Sequence, residues 1–104
     1  MTPEGEVLKA VRDWLDWHKV FYFRINQIPV PTQNGFRRFT GMAGVPDIIA
    51  VLRGGIFCGL ECKREGGKQS PSQKEFETNV GALGGLYFVI HSTDDLETHL
   101  SPYL

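Results

Sequence analysis

The chain contains no apolar run approaching the roughly 18–20 residues that a membrane span needs. Its first residues, MTPEGEVLKA, have neither the basic opening nor the apolar stretch of a secretory signal. The expectation is a cytoplasmic protein that does not enter a membrane. Cysteine is scarce: Cys58 and Cys62 are the only two, four residues apart in what reads as one strand. At about 3.3 Å per residue they would stand roughly 13 Å apart, beyond the reach of a disulfide. No histidine lies near them at ligand spacing, so they make a poor zinc site and read as small buried apolar residues. Internal repeats and low-complexity stretches are absent, and 104 residues suffice for one core and one domain, 1–104.

A surplus of charge of either sign is also missing. The net charge is −1, with 41% hydrophobic and 22% charged residues, the balance of an ordinary globular protein. The charge is nevertheless segregated. Between Arg37 and Lys74 seven Lys or Arg face three acids, a local +4, which leaves −5 for the rest of the chain. A local basic patch attracts phosphate even when the whole chain is slightly acidic.

The elements read in the order helix, strand, strand, strand, helix, strand, helix. Thr2 and Pro3 open the first helix, and Val7, Leu8, Val11, Trp14, Leu15 and His18 form its apolar stripe. Val20 to Ile25 reads as a strand. Gln27 to Gly44 reads as a long functional loop that can hold a short hairpin around Asn34–Gly35. Asp47 to Leu52 and Ile56 to Lys63 read as strands joined by Arg53-Gly54-Gly55. Ser72 is placed as the cap of a helix that runs to about Leu83 and is stopped by Gly84–Gly85. Leu86 to His91 reads as a strand, and Thr93 opens a last helix to about Leu100. The fold class is therefore α/β, a mixed sheet with helices packed on its faces.

The chemistry centres on Gly44-Val45-Pro46-Asp47 and Leu60-Glu61-Cys62-Lys63. Strand alternation places Glu61 and Lys63 on one face, with Leu60 and Cys62 on the other. A three-residue loop at Arg53-Gly54-Gly55 pairs Leu52 with Ile56 and sets Asp47 opposite Glu61. A two-residue loop would send the two carboxylates to opposite faces. Carboxylates on neighbouring strands suit Mg²⁺, or Mn²⁺ in its place. Such an ion lowers the pKa of water and offsets charge on a phosphate. Lys63 would position that water or stabilise the transition state. Taken alone, a Glu-x-Lys on a strand is more often a solvated face, and Pro-Asp before a strand is often only a turn.

Taken together and in order, these segments resemble the PD-(D/E)XK nuclease superfamily, in particular its VRR-NUC branch of the standalone phage or bacterial type. Gly44-Val45-Pro46-Asp47-Ile48-Ile49 resembles the family's Gly-hydrophobic-Pro-Asp approach to a strand, and Glu61-Cys62-Lys63 its Glu-hydrophobic-Lys. Ser70-Pro71-Ser72-Gln73 resembles its Ser-Pro-x-Gln helix start. Leu83-Gly84-Gly85-Leu86-Tyr87, followed by Val89 and Ile90, resembles its closing segment. The likeness runs from Glu4 to about Leu96. It implies a restriction-endonuclease-like fold with Asp47 and Glu61 as metal ligands, the Cys62 carbonyl as a further ligand and Lys63 as the catalytic lysine. It also implies Gln73 beside the site; as an unaided reading, Gln73 is equally a polar residue at a helix start.

The family also carries an acidic residue near the start of the first helix. Glu4 shares the stripe of Val7 and Leu8, whereas Glu6 falls with Ala10, Asp13 and Trp17, so Glu4 is preferred and Glu6 stays open. Arg37, Arg38, Lys68 and Lys74 are the candidate phosphate contacts. Trp14, Trp17, Phe21, Tyr22 and Phe23 read as core rather than as platforms for bases, and His18 and His91 receive no role. The leading expectation is a structure-selective DNA endonuclease, resolvase-like on branched DNA, with two sites paired in a homodimer. A flap or single-strand nuclease and a non-catalytic DNA-binding scaffold are the other expectations.

Overall fold

Thr2 caps the first helix through its hydroxyl, which accepts from the Gly5 amide at 3.0 Å, and Pro3 occupies the first turn. The helix, α1, runs Pro3–Trp17 and turns Val11, Trp14 and Leu15 inward, with Val7 and Leu8 packed alongside. The computed structural model of the chain describes residues 1–25 and 43–104 in full, and the backbone of 28–32 and 35–39. Strand β1 is Phe21–Arg24. Ile28–Thr32 (β2) and Gly35–Phe39 (β3) form a separate antiparallel hairpin with Thr32 opposite Gly35. The hairpin expected within this long segment thus forms. Its side chains, those of Arg37 and Arg38 among them, lie outside the described residues.

Strands β4 (Ile48–Leu52) and β5 (Ile56–Cys62) are joined by Arg53-Gly54-Gly55, with Leu52 paired to Ile56 and Ile48 to Leu60. Gly54 and Gly55 carry φ of 88° and 76°, a left-handed run that only glycine adopts freely. Helix α2, Pro71–Ala82, carries the chain over to β6 (Leu86–Ile90), which pairs parallel with β5. The sheet order is β1-β4-β5-β6, so β5 is central and mixed. Helix α3, Thr93–Leu100, closes the α-β-β-β-α-β-α framework and leads into a short 3₁₀ turn, Ser101–Tyr103. No helix among the described residues is long and apolar enough to cross a membrane.

The core lies on one face of the sheet. Ile48, Ala50, Leu52, Cys58, Leu60, Cys62 and Ile90 meet Val11, Trp14 and Leu15 of α1 and Leu96 and Leu100 of α3. A fully buried leucine such as Leu15 contributes about 1.5–3 kcal/mol. The cysteines are part of this layer, both free and buried, and burial pushes the Cys58 thiol up to about 12.

Two expectations are corrected. The cap of α2 is Ser70, not Ser72: the Ser70 hydroxyl accepts from the Gln73 amide while Gln73 Oε1 accepts from the Ser70 amide at 2.8 Å. Among the five aromatics read as core, Trp14 is buried and Tyr22 packs against the core, but Trp17, Phe21 and Phe23 are exposed. Phe21 and Phe23 point to the sheet face away from α1 and α3.

Candidate active site

On that opposite face the β4–β5 register carries one step past Ile48–Leu60, bringing Asp47 across from Glu61. The Asp47 carboxylate is held by its Oδ2, which accepts from the Cys62 amide at 2.8 Å, and the Asp47 carbonyl accepts from the Ile25 amide at 2.9 Å. Glu61 is 4% exposed, and its Oε1 lies 3.9 Å from Nζ of Lys63. Burial, and then the Asp47 carboxylate beside it, push the Glu61 carboxyl up to about 8; Lys63 opposes the rise and Glu4 adds to it. The Lys63 amide donates to Ile90 at 3.0 Å, so the end of β5 is fixed by the ladder to its neighbour.

Two glycines let the surroundings close on these groups. Gly44 has φ of 82°, and a Cβ there would overlap the Ser72 carbonyl, so the chain leading to Asp47 lies directly on the start of α2. Gly59 lies under Pro46 and Tyr87, whose nearest atoms would be 3.0 and 3.1 Å from an added Cβ. The Tyr87 hydroxyl reaches Glu61 Oε2 at 3.5 Å. Burial, followed by the charge of Glu61, raises the Tyr87 pKa, so the phenol keeps its proton and donates. Nearby, Gln69 Nε2 donates to Glu77 at 3.1 Å.

The other expected residues fall at graded distances from this centre. Glu4 and Glu6 are both in the first turn of α1 and both exposed, and the Glu4 charge adds slightly to the rise at Glu61. The Cys62 side chain belongs to the core, so only its backbone faces the carboxylates. Gln73 spends its amide oxygen on the helix cap, leaving its Nε2 end for any second partner. Lys68 and Lys74 are exposed on the loop after β5 and in the first turn of α2. His91 steadies that loop from the end of β6, its Nε2 lying 3.1 Å from the Gly67 carbonyl.

Tyr87 is an addition to the expected set. Arg24 ends β1 opposite Ile48, and its charge acts on Cys62 against those of Asp47, Glu61 and Glu4. By the register Arg24 shares the face of Tyr22 and Ile48, opposite that of Asp47 and Glu61.

The donor set fits a hard divalent cation. Asp47 and Glu61 offer oxygens on one face, and the Glu61 carboxyl is raised partly because Asp47 crowds it, a repulsion that a cation between them would relieve. Among the described residues no group of three or more His, Cys, Asp or Glu side chains comes together as a metal cage. An ion held by Asp47 and Glu61 would complete its shell with backbone carbonyl and water oxygens. No family model, no curated protein and no solved structure matches the chain.

Proposed function

We propose that the chain is a divalent-metal-dependent DNA endonuclease of the PD-(D/E)XK type, resembling its VRR-NUC branch and acting in the cytoplasm on branched DNA as a homodimer. The observation that supports this most is the meeting, on one sheet face, of Asp47, Glu61 and Lys63, with Glu61 buried and Lys63 as its nearest cation. Mg²⁺ or Mn²⁺, held by Asp47, Glu61 and the Cys62 carbonyl, would supply Lewis acidity to the scissile phosphate. The protein groups divide the remaining work. Lys63 stabilises charge growing on the phosphate oxygens. Tyr87 keeps Glu61 oriented, and the Cys62 amide does the same for Asp47.

The test is cleavage of labelled four-way junction, flap and linear duplex DNA with Mg²⁺ or Mn²⁺, beside Lys63→Ala and a chelator. Junction cutting by the wild type alone, with a loss of about 10²–10³-fold in Lys63→Ala, supports the reading. Failure to cut any of them overturns it. A second reading, a flap or single-strand nuclease, is favoured by the exposed Phe21 and Phe23 beside the site.

A further inference from the structure

Among the described residues, only half of the sheet face that carries Asp47 and Glu61 is covered. Helix α2 lies over the β5–β6 side, where Phe76 sits 6.5 Å from Phe57 and 6.0 Å from Tyr87 between ring centroids. Over β1 and β4 the described residues leave Phe21 70% and Phe23 47% exposed. Register sets these rings in rows. Phe21 pairs with Val51 and Phe23 with Ile49, and the next row on the same face holds Asp47 and Glu61. Successive rows are two residues apart, about 7 Å.

Beyond Phe21 the face runs into a cavity of about 340 Å³ lined by His18, Lys19, Phe21, Arg53, Tyr103 and Leu104 among others, with the two cations Lys19 and Arg53 in its wall. Lys19 is the only non-glycine residue with positive φ, 56°, among the described residues. It follows α1, where the Lys19 amide donates to Asp16 and the Val20 amide to Leu15, a helix ending that glycine takes most readily. The lysine at this position brings a cation to the cavity at the expense of backbone ease.

We propose that this half-face binds single-stranded nucleic acid, with unstacked bases on Phe23 and Phe21 and backbone phosphates at Lys19 and Arg53. Bases within one duplex strand step by about 3.4 Å, half the spacing of the two rings, so the rings suit a strand pulled out of its stack. The flat apolar faces, with Lys19 and Arg53 at the cavity beyond them, match a ligand that is both aromatic and polyanionic. The orientation leads such a strand toward Asp47 and Glu61, and in that respect the inference rests on the nuclease reading; the binding itself does not.

The test is the affinity of the full chain for a labelled oligothymidylate, read by fluorescence anisotropy in EDTA so that nothing is cut. Phe21→Ala and Phe23→Ala, both exposed, should each weaken binding by roughly 5- to 150-fold while leaving blunt-duplex affinity unchanged. Lys19→Gly, which suits the φ it inherits, and Arg53→Ala should weaken binding and flatten its salt dependence. Equal affinity across the set, or no binding by the wild type, overturns the proposal. So does a dimer turned monomer by Phe21→Ala with single-strand affinity intact, which would make the face a contact between copies. Cleavage by a wild type whose single-strand affinity the variants do not move removes the track and keeps the nuclease. Affinity lost in variants of a protein that cuts nothing keeps the track and removes the nuclease.

Discussion

The amide of Cys62 donates a 2.8 Å hydrogen bond to Oδ2 of Asp47, tying the carboxylate that precedes β4 to the backbone of the strand that carries Glu61. One bond therefore serves both the placement of a proposed ligand and the satisfaction of a part-buried donor. Asp47→Ala should cost about 1–3 kcal/mol of stability, because the Cys62 amide loses its acceptor. Asp47→Asn keeps an acceptor and should cost less, while removing the charge that a cation needs. Urea unfolding of the two variants, set beside metal titration, separates the structural role from the ligand role.

Glu61 gives a pH dependence whose sign is fixed. Its folded pKa, about 8, lies above the ordinary 4.5, so the folded state holds the proton more tightly than the unfolded chain. The stability this provides is complete below the ordinary value and is lost as pH rises through about 8. In EDTA the protein should thus be less stable at pH 9 than at pH 5, and Glu61→Gln should flatten that slope. Thermal melts across the range check both.

Gly44 and Gly66 share a left-handed φ, 82° and 80°, but not their surroundings. An added Cβ at Gly66 meets nothing within 4 Å, whereas at Gly44 it meets the Ser72 carbonyl. Gly66→Ala should cost about 1 kcal/mol, the ordinary penalty of that conformation. Gly44→Ala should cost more than about 3 kcal/mol, since strain and overlap add. Urea midpoints of the pair provide the comparison.

Tyr87→Phe removes only the hydroxyl facing Glu61. The bond is long at 3.5 Å, so the loss in Mn²⁺ affinity should be about tenfold, the low end for a group that orients a ligand. Calorimetric titration measures it directly, and an unchanged affinity would leave Tyr87 a packing residue.

Much of this arrangement was legible because local chemistry determines it. A turn ending in two glycines fixes the β4–β5 register, and that register alone decides whether Asp47 and Glu61 meet. The last helix begins at Thr93 and ends at Leu100 as its pattern predicts. The Ser70 cap was also encoded, as a serine three residues before Gln73 with Pro71 between, but the neighbouring Ser72 competes for the same reading. What stayed hidden depends on distant packing. Alternation along β1 separates Phe21 and Phe23 from Tyr22, yet cannot tell which face a helix will cover. The approach of Tyr87 to Glu61 follows from the parallel pairing of β5 and β6 across α2, and no spacing along the chain encodes it.

The central position of β5 has a consequence for how the protein meets its substrate. Glu61 lies on an inner strand of the sheet, antiparallel to β4 and parallel to β6, and Lys63 follows at its end. Amides in such a strand exchange with solvent only through the rarest openings of a fold. Asp47, Glu61 and Lys63 are thus mounted at the hydrogen-bonded middle of the sheet, preset before any ligand arrives, and on the proposed reading the nucleic acid is the partner that must bend, unpair or slide to reach them.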